Sequence, residues 1–263
     1  MITDTPARAL GPLLHEGKAK RLYATADPQW CAVEFKDVAT AANGRRQVQL
    51  PGKGGLNCRI SGRLFTLLEQ AGLPTHFREP LGDGWMLVRP LRMIPLEVVL
   101  RNRAAGSLLR QLPIVAGQPL EPPLLDLYFK DDALGDPFLS EARLATLNIV
   151  TPEARVQLET MARQVNSTLH QALARLDLDL VDLKLEFGWD ASGQLRLADE
   201  LSPDNCRLWD GRQSPDSPGR SLDKDRFRQG LGGLVAAYKE VNHRIQALDH
   251  LQPRSHDPGQ GIQ

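Results

Sequence analysis

The sequence predicts an α+β protein of two lobes, with antiparallel sheets and flanking helices. Two observations lead to this class. The first third is mostly strand-like and contains one helix, whereas the later part mixes strands with longer helical repeats. The chain has 263 residues, which is enough for one large domain or two small ones. We therefore expect a strand-rich lobe over 1–90, an α/β lobe over 91–250 with a cleft between the two, and a disordered tail over 251–263.

Composition excludes several classes of function. Lysine plus arginine and aspartate plus glutamate each number 32, so no net charge attracts the protein to nucleic acid or to a membrane surface. Aromatic residues are few, which argues against a non-catalytic RNA-binding protein. Neither a signal segment nor a bilayer-spanning apolar run is visible. The three cysteines are far apart and form no CxxC pair. We expect a cytoplasmic protein without nucleic-acid or membrane partners.

The first part of the chain contains strand-like stretches interrupted by one helix. The stretches are GKAKRLYAT, WCAVEFKDV, GWMLVRPL and LEVVLRNRA. The helix is indicated by apolar residues at helical spacing, and Gly72 is a suitable C-terminal stop. These apolar residues are Ile60, Leu64, Leu67, Leu68 and Ala71.

The second lobe is predicted to contain two further helices. Residues 113–140 are rich in proline and are expected to be irregular. A helix should follow, capped by Thr151 with Pro152 in its first turn. Its apolar stripe consists of Leu158, Met161, Val165, Leu169, Leu173 and Leu176. One last helix would carry Phe227, Leu231, Leu234, Tyr238, Val241 and Ile245 on a single face, although three glycines weaken it.

Charged residues interrupt a predicted β-hairpin over residues 181–204. Alternation places Asp182, Lys184 and Glu186 on one face of the first arm. A two-residue loop would pair Lys184 with Asp199, and a four-residue loop would pair Glu186 with Asp199. In both registers Glu186 and Asp199 face the same side.

Two chemical interpretations of this face are open. Two carboxylates together with phosphate oxygens are a usual way for proteins to hold Mg²⁺, and Lys184 would then be a point charge for a phosphate. Alternatively, the face is solvated and its charges form cross-strand salt bridges.

Two other segments carry cations in strand-like patterns. Lys18 and Lys20 share one face of a β segment, which suits a strand laid over a triphosphate or an exposed edge strand protected by lysines. Arg101 and Arg103 share a strand face that leads into a short helix. Such arginines suit a phosphate monoester, or they bridge surface acids. Arg207 follows a Ser-Pro-Asp turn, where an arginine is usually only solvated. Neither GxxxxGK[ST] nor GxGxxG occurs.

Two longer segments together resemble a known family. MIPLEVVLRNRAAGS (93–107) and LVDLKLEFG (180–188) resemble the two signature segments of the SAICAR synthetase family. Further blocks resemble the family in family order, from Leu14 to Leu248: EGKAKRLY, GLPTHF, DLYFKDDALGDP, DELSPDNCRLWD and DKDRFRQGLGGL. The resemblance implies an ATP-grasp- or kinase-like nucleotide cleft. The first lobe would cover the nucleotide, and the second would carry the metal and ribonucleotide sites.

The resemblance also implies an activity. The family joins L-aspartate to the carboxylate of carboxyaminoimidazole ribonucleotide (CAIR) in de novo purine biosynthesis, giving SAICAR, ADP and phosphate. ATP and Mg²⁺ would be required, and the reaction would pass through an acyl phosphate. A homodimer is the assembly that the resemblance suggests. An impaired paralogue, or a small-molecule kinase that uses the same cleft, is the alternative.

Site residues follow from the resemblance position by position. Mg²⁺ would be held by Glu186 and Asp199. ATP phosphates would be neutralised by Lys18, Lys20, Lys130 and Lys184, with Met93 near the adenine. The ribonucleotide would bind to Arg101, Ser107 and Arg207. Lys184 and Asp182 are the expected catalytic residues, and Asp210 is a further expected substrate contact.

One stretch departs from the family pattern. Where the family commonly reads Asp-x-(Ser/Thr)-Ala-x-Asp-Gly, this chain has Val38 and Asn43 at the two aspartate positions, whereas Thr40, Ala41 and Gly44 fit. Asp37 lies one place away, but strand alternation would point its side chain to the other face. We expect one substrate-proximal loop to be affected.

Overall fold

A computed structural model describes residues 10–41 and 44–250 of the chain. Within these residues fifteen strands and six α-helices form. The strands are β1 (Leu10–Glu16), β2 (Lys20–Thr25), β3 (Cys31–Phe35), β4 (Val38–Ala41), β5 (Arg46–Gln49), β6 (Phe77–Gly82), β7 (Trp85–Val88), β8 (Arg92–Met93), β9 (Leu96–Arg103), β10 (Pro119–Phe129), β11 (Phe138–Leu139), β12 (Leu178–Leu185), β13 (Phe187–Trp189), β14 (Leu195–Leu197) and β15 (Cys206–Asp210). The helices are α1 (Lys53–Gln70), α2 (Leu108–Gln111), α3 (Glu141–Leu147), α4 (Pro152–Ala174), α5 (Asp225–Arg228) and α6 (Leu234–Ile245).

The first part of the chain forms an antiparallel sheet with the strand order β1-β2-β3-β7-β6. Alternate apolar residues of β3, which are Cys31, Val33 and Phe35, are buried in the core against α1. The predicted helix is confirmed as α1, and Gly72 after it has a positive φ of 80°. The paired strands β4 and β5 form a separate two-stranded arm.

A second antiparallel sheet runs in the order β11-β10-β9-β12-β15, and α4 packs on β9 and β12. The predicted start of α4 is confirmed, since the Thr151 hydroxyl accepts a hydrogen bond from the Ala154 N–H at 3.2 Å. Asn102 of β9 and Asn166 of α4 exchange side-chain hydrogen bonds of 2.8 and 2.9 Å. This partly buried amide pair links the helix to the sheet that carries the candidate site.

The prediction that residues 113–140 are irregular is wrong, because this segment contains β10 and β11. Three prolines conceal the eleven-residue strand β10 in the sequence. They lie where pairing with β9 is interrupted, between Pro119 and Leu124. Proline cannot donate to a ladder, and it is tolerated at such an irregularity. From Leu124 onward the pairing with β9 is regular.

The predicted single last helix is also wrong. Two helices, α5 and α6, are separated by a glycine-containing segment. Gly230, Gly232 and Gly233 have φ values of 71°, 70° and 64°, which a right-handed helix does not allow. The apolar stripe of the second helix is nevertheless correct, with Tyr238 and Val241 fully buried.

Both predicted registers of the 181–204 hairpin are wrong. Only β13 pairs with β14, with Phe187 opposite Leu197 and Trp189 opposite Leu195. The preceding strand β12 belongs to a different sheet, where it pairs with β9 and β15. The chain therefore changes sheets at Glu186, which lies between the two strands.

The α+β class is confirmed, whereas the lobe boundaries stay a prediction. Strands of the first five-stranded sheet come from 10–88 and those of the second from 96–210, but a single cluster of buried apolar residues joins them. Helix α1 contacts both the first sheet and α6. The predicted tail over 251–263 lies outside the described residues. In the ranges that the structure covers, no helix has the length and apolar character needed to cross a membrane.

Candidate active site

Five charged residues form what we call the lysine–carboxylate cluster: Lys20, Lys130, Lys184, Glu186 and Asp199. Lys20 donates to Asp199 and, at 2.8 Å, to Glu200. Lys184 donates to Glu186 at 2.8 Å, and Lys130 also pairs with Glu186. These residues come from β2, the segment after β10, β12, and the segments that follow β12 and β14. The fold thus brings together charges that are distant in sequence.

Opposite charges in the cluster favour the ionised forms of Asp199 and Lys184 despite the burial of these two side chains. Burial opposes ionisation of Asp199, but Lys20, Lys184 and Lys130 outweigh it and hold the pKa of Asp199 well below its usual value. Burial likewise opposes the charge on Lys184, yet Glu186 and Asp199 raise its pKa well above the ordinary value. Glu186 is almost inaccessible, with 3% of its side chain exposed. The cluster therefore offers two carboxylates and three ammonium groups in one place.

Glu186 and Asp199 lie in one charged cluster even though the predicted registers fail. Lys130 and Lys184 pair with Glu186, and their charges also help to lower the pKa of Asp199. Asp199 has a left-handed backbone, with φ of 62°, immediately after the end of the β14 pairing. A turn at this point, and not strand alternation, decides where its carboxylate lies. The described residues hold no group of three or more His, Cys, Asp or Glu side chains arranged around one metal position. Two carboxylates nevertheless suit Mg²⁺, because that ion usually keeps waters and phosphate oxygens as its other ligands.

Lys18 and Met93 are not among the five residues of the lysine–carboxylate cluster. Lys18 pairs with Asp132 at 2.7 Å and lines an open cavity of about 810 Å³ that also borders Val38. Met93 lies on β8 and is 44% exposed. Its neighbour across the sheet is Gly188, where a Cβ would be 3.0 Å from the Arg92 carbonyl oxygen, so only glycine allows this close strand approach.

A second feature is a cavity of about 190 Å³, which we call the arginine cavity. Its basic and hydroxyl lining consists of Arg101, Ser107, Lys184, Arg207 and Arg228. Arg101 and Asp182 are direct partners in the β9–β12 register, and their side chains are 3.3 Å apart. Arg101 also lies 3.4 Å from the Ser107 hydroxyl, just before α2. Sheet register therefore fixes Arg101 with little freedom.

Arg207 enters the same cavity from β15. It pairs with Asp182 and, at 2.6 Å, with Asp225. The backbone of Gly106 lies directly against its guanidinium, since a Cβ at Gly106 would be 2.7 Å from Nη2. Gly106 also has a φ of 61°, so both space and backbone conformation require glycine here.

Two predicted candidates lie outside the arginine cavity. Arg103 pairs with Asp179 at 2.6 Å and does not line the cavity, whereas Arg101 pairs with acids and lines it. Asp210 accepts two hydrogen bonds from Arg244, at 2.9 and 2.7 Å, at the far end of β15. The structure therefore does not bring Asp210 to the other predicted substrate residues.

In the segment that departs from the family pattern, the structure explains the role of Asp37. Asp37 accepts hydrogen bonds from the N–H groups of Gly52 and Gly54 at 2.9 and 2.7 Å. It thus satisfies the free N–H groups at the start of α1 and does not replace an aspartate at position 38. Val38 lies on β4 and lines the open cavity. Asn43 lies outside the described residues.

Several charged residues at the site were not predicted as site residues. Glu97 and Glu200 bind lysines of the lysine–carboxylate cluster. Arg228 lines the arginine cavity, and Asp225 accepts hydrogen bonds from Arg207 and Arg228 of its lining. The DKDRFRQG block contains Asp225 and Arg228, but a sequence does not show which acid pairs with which distant cation. That information requires the sheet order.

Comparison with known proteins gives a consistent result. The family model described as SAICAR synthetase matches residues 13–245. The phosphoribosylaminoimidazole-succinocarboxamide synthase of Synechococcus sp. (strain CC9605) is 56% identical over 236 residues, which cover 90% of this chain and 94% of that relative. The enzyme of the same name from Prochlorococcus marinus (strain MIT 9303) is 54% identical over 238 residues, covering 90% and 98%.

Solved structures agree with the sequence relatives. A SAICAR synthetase (Type-2) in complex with ADP has a TM-score of 0.84 and 42% identity, covering 90% of this chain and 98% of that one. The SAICAR synthetase from Pyrococcus horikoshii OT3 has a TM-score of 0.81 and 42% identity, covering 87% and 98%.

Proposed function

The chain belongs to the SAICAR synthetase family, and we propose that it joins L-aspartate to CAIR with conversion of ATP to ADP and phosphate. It is a carbon–nitrogen ligase of purine biosynthesis. The observation that carries the assignment of the site is the presence of two separate charged centres. The arginine cavity suits a phosphate monoester, and the lysine–carboxylate cluster suits a triphosphate with its metal.

The arginine cavity would bind the ribonucleotide. Arg101, Ser107 and Arg207 present guanidinium and hydroxyl donors to one small volume. Guanidinium groups bind phosphate oxygens with charge-assisted hydrogen bonds and fixed geometry. Asp182 contacts both arginines, so its carboxylate would position them. Lys184 lines the cavity and also belongs to the lysine–carboxylate cluster, which places it between the two substrates.

The lysine–carboxylate cluster would bind the phosphates of ATP. Lys20, Lys130 and Lys184 would neutralise phosphate charge, with Lys18 nearby and Met93 against the adenine. Positioning and charge neutralisation provide most of the catalysis in phosphoryl transfer. The lysines now pair with carboxylates, and they would exchange part of those contacts for phosphate oxygens.

Mg²⁺ would be held by Glu186 and Asp199. Their carboxylates are the hard oxygen donors that this ion prefers, and Asp199 stays ionised at neutral pH. When bound, Mg²⁺ would supply positive charge that neutralises charge developing on the ATP phosphates. Lys20 and Lys184 would keep these two carboxylates in place.

The reaction requires activation of a carboxylate, which is a poor electrophile. Transfer of the γ-phosphoryl group of ATP to the CAIR carboxylate gives an acyl phosphate and ADP. The amine of L-aspartate then attacks the acyl carbon, the C–N bond forms, phosphate leaves with the C–O bond electrons, and the amine loses its proton. Both substrates must be close together for this sequence, which agrees with the shared position of Lys184.

Purified protein with ATP, Mg²⁺, CAIR and L-aspartate tests this function directly. We expect formation of the succinocarboxamide with one phosphate released per product. Absence of both products would contradict the ligase. ADP formation at an unchanged rate without aspartate would instead favour a small-molecule kinase.

Assembly and location are further proposals. A homodimer is supported by the exposed apolar residues Leu13 and Leu14 on the edge strand β1, and light scattering of the purified protein tests it. A cytoplasmic location is supported by the three free cysteines, all of which are buried.

A further inference from the structure

We propose that Asp225 is a positioning residue that fixes the Arg207 guanidinium in the arginine cavity for phosphate binding. This inference rests on the proposed function and extends it to a residue outside the two signature segments. Arg207 has a long side chain on the last strand of the sheet, so the strand alone does not fix its guanidinium. A neighbouring side chain must hold the guanidinium in the orientation that a ligand phosphate needs.

Asp225 contacts Arg207 through both carboxylate oxygens. Nε of Arg207 donates to Oδ2 at 2.6 Å, and Nη2 donates to Oδ1 at 3.3 Å. Nη1 donates to Asp182 on the neighbouring strand. Three of the five N–H donors of Arg207 are used in these contacts. One N–H on each terminal nitrogen is left for ligand oxygens, which is the fork that a phosphate accepts.

Gly106 restricts the same guanidinium from a third side. A Cβ at Gly106 would lie 2.7 Å from Nη2 and 2.9 Å from Nη1 of Arg207. The group therefore lies flat against backbone that directly precedes Ser107. Two carboxylates and one backbone surface leave little rotational freedom.

Asp225 is itself held in place. Asp223 accepts hydrogen bonds from the N–H of Asp225 at 2.8 Å and from the N–H of Leu208 at 2.9 Å, which ties the start of α5 to β15 beside Arg207. Arg228 also donates to Asp225, at 2.6 Å. Burial opposes ionisation of Asp225, but its hydrogen bonds with Arg207 and Arg228 keep its pKa below the usual value.

Without the Asp225 carboxylate, Arg207 would keep only Asp182 as an acidic partner. The guanidinium could then rotate, and binding the ribonucleotide would have to fix it again. Affinity for CAIR should fall, whereas phosphoryl transfer from ATP takes place at the other charged centre. This separation distinguishes positioning from a general loss of structure.

Steady-state kinetics of three variants test the proposal. Asp225→Asn should raise KM for CAIR by at least about tenfold, with kcat within about threefold and KM for ATP unchanged. Asp225→Glu, which keeps the charge, should recover part of the loss. Asp179→Asn removes a comparable arginine partner on the same sheet outside the cavity, and it should leave all parameters within about twofold.

Two outcomes would overturn the proposal. One is a KM for CAIR within about twofold of wild type in Asp225→Asn. The other is a parallel fall of kcat and thermal stability that Asp225→Glu does not restore. Calorimetric titration of CAIR without ATP gives a readout independent of turnover, and Asp225→Asn should bind at least about tenfold more weakly. Wild-type protein that forms no succinocarboxamide would contradict the proposed function, whereas an active wild type with an unaffected Asp225→Asn would contradict only this inference.

Discussion

The arginine cavity and the lysine–carboxylate cluster bring charged side chains together by different structural means. In the arginine cavity, Arg101 and Arg207 extend from neighbouring regions of one sheet and share Asp182, which lies on the strand between them. In the lysine–carboxylate cluster, Lys20 and Lys130 come from separate parts of the chain and meet carboxylates that follow strand ends.

This difference indicates how each centre responds to its ligand. The carboxylates of Asp182 and Asp225 hold the arginines before a ligand binds, so the arginine cavity is preorganised. When no ligand is bound, the lysines form ion pairs with the carboxylates. ATP and Mg²⁺ must therefore replace part of these ion pairs when they bind. We therefore expect substitutions in the arginine cavity to affect mainly binding, and those in the lysine–carboxylate cluster to affect mainly turnover.

The largest effect is expected for Glu186→Ala in the lysine–carboxylate cluster. Loss of a metal-binding carboxylate should lower kcat by at least about 10³-fold, or about 4 kcal/mol. The fold should persist, because Lys184 keeps Glu97 as a partner at 2.7 Å. Turnover is measured at saturating Mg²⁺ alongside thermal unfolding. Activity within about threefold of wild type would remove Glu186 from the metal site.

Asp204→Asn tests how much a buried ion pair at the arginine cavity contributes to stability. Asp204 lines that cavity and pairs with the fully buried Lys53, and it accepts a hydrogen bond from Tyr238 at 2.6 Å. Breaking a buried pair of this kind should cost about 3 kcal/mol of the free energy of unfolding at neutral pH. Denaturant titration measures this loss, and a value below about 0.5 kcal/mol would contradict the role of the pair.

The loss of stability in Asp204→Asn should depend on pH. Burial raises the pKa of Asp204, but Lys53 and Lys224 outweigh it and hold the pKa at about 2. Because the pKa of Asp204 is lower in the folded state than in the unfolded state, its carboxylate stabilises the fold at pH values above the ordinary aspartate pKa. This contribution to the free energy of unfolding is lost as pH falls toward 2. The deficit of Asp204→Asn relative to wild type should therefore shrink between about pH 4 and pH 2. A constant deficit would show that the charge is irrelevant.

Arg101→Lys should produce a moderate and selective effect. Lysine keeps the charge but loses the planar fork that contacts Ser107 and Asp182. KM for CAIR should rise by about tenfold to a hundredfold, with KM for ATP within about twofold. An equal change in KM for CAIR and KM for ATP would contradict the assignment of the two substrates to separate centres.

The smallest effect is expected for Val38→Asp, which restores the residue common in the family. Val38 lies in the open cavity, outside both charged centres, and Asp37 already holds the start of α1. We expect kcat/KM to stay within about threefold. An increase beyond tenfold would indicate that the wild-type chain is impaired at this loop.

The sequence pointed to the five residues of the lysine–carboxylate cluster and to Arg101, Ser107 and Arg207 of the arginine cavity, but not to Arg228 or to the geometry by which these residues meet. Glu186 and Asp199 were predicted to converge through a hairpin register, and that register is wrong. Convergence instead depends on a change of sheet at Glu186 and a left-handed turn at Asp199, neither of which alternation shows. Similarly, prolines in β10 concealed a strand, because local propensity does not show that a neighbouring strand is available for pairing.

What the sequence by itself determined is local: the helices α1 and α4, the principal strands, the stripe of α6 and the family blocks that name the site residues. Apolar periodicity, caps and motifs act over a few residues, so they are visible in one dimension. Only the tertiary structure decided which acid holds which base, such as Asp225 on Arg207 or Lys130 on Glu186. At the candidate active site, pairs of this kind join residues up to 180 positions apart, as in Lys20 with Glu200. Their distance depends on sheet order and register, which long-range packing sets.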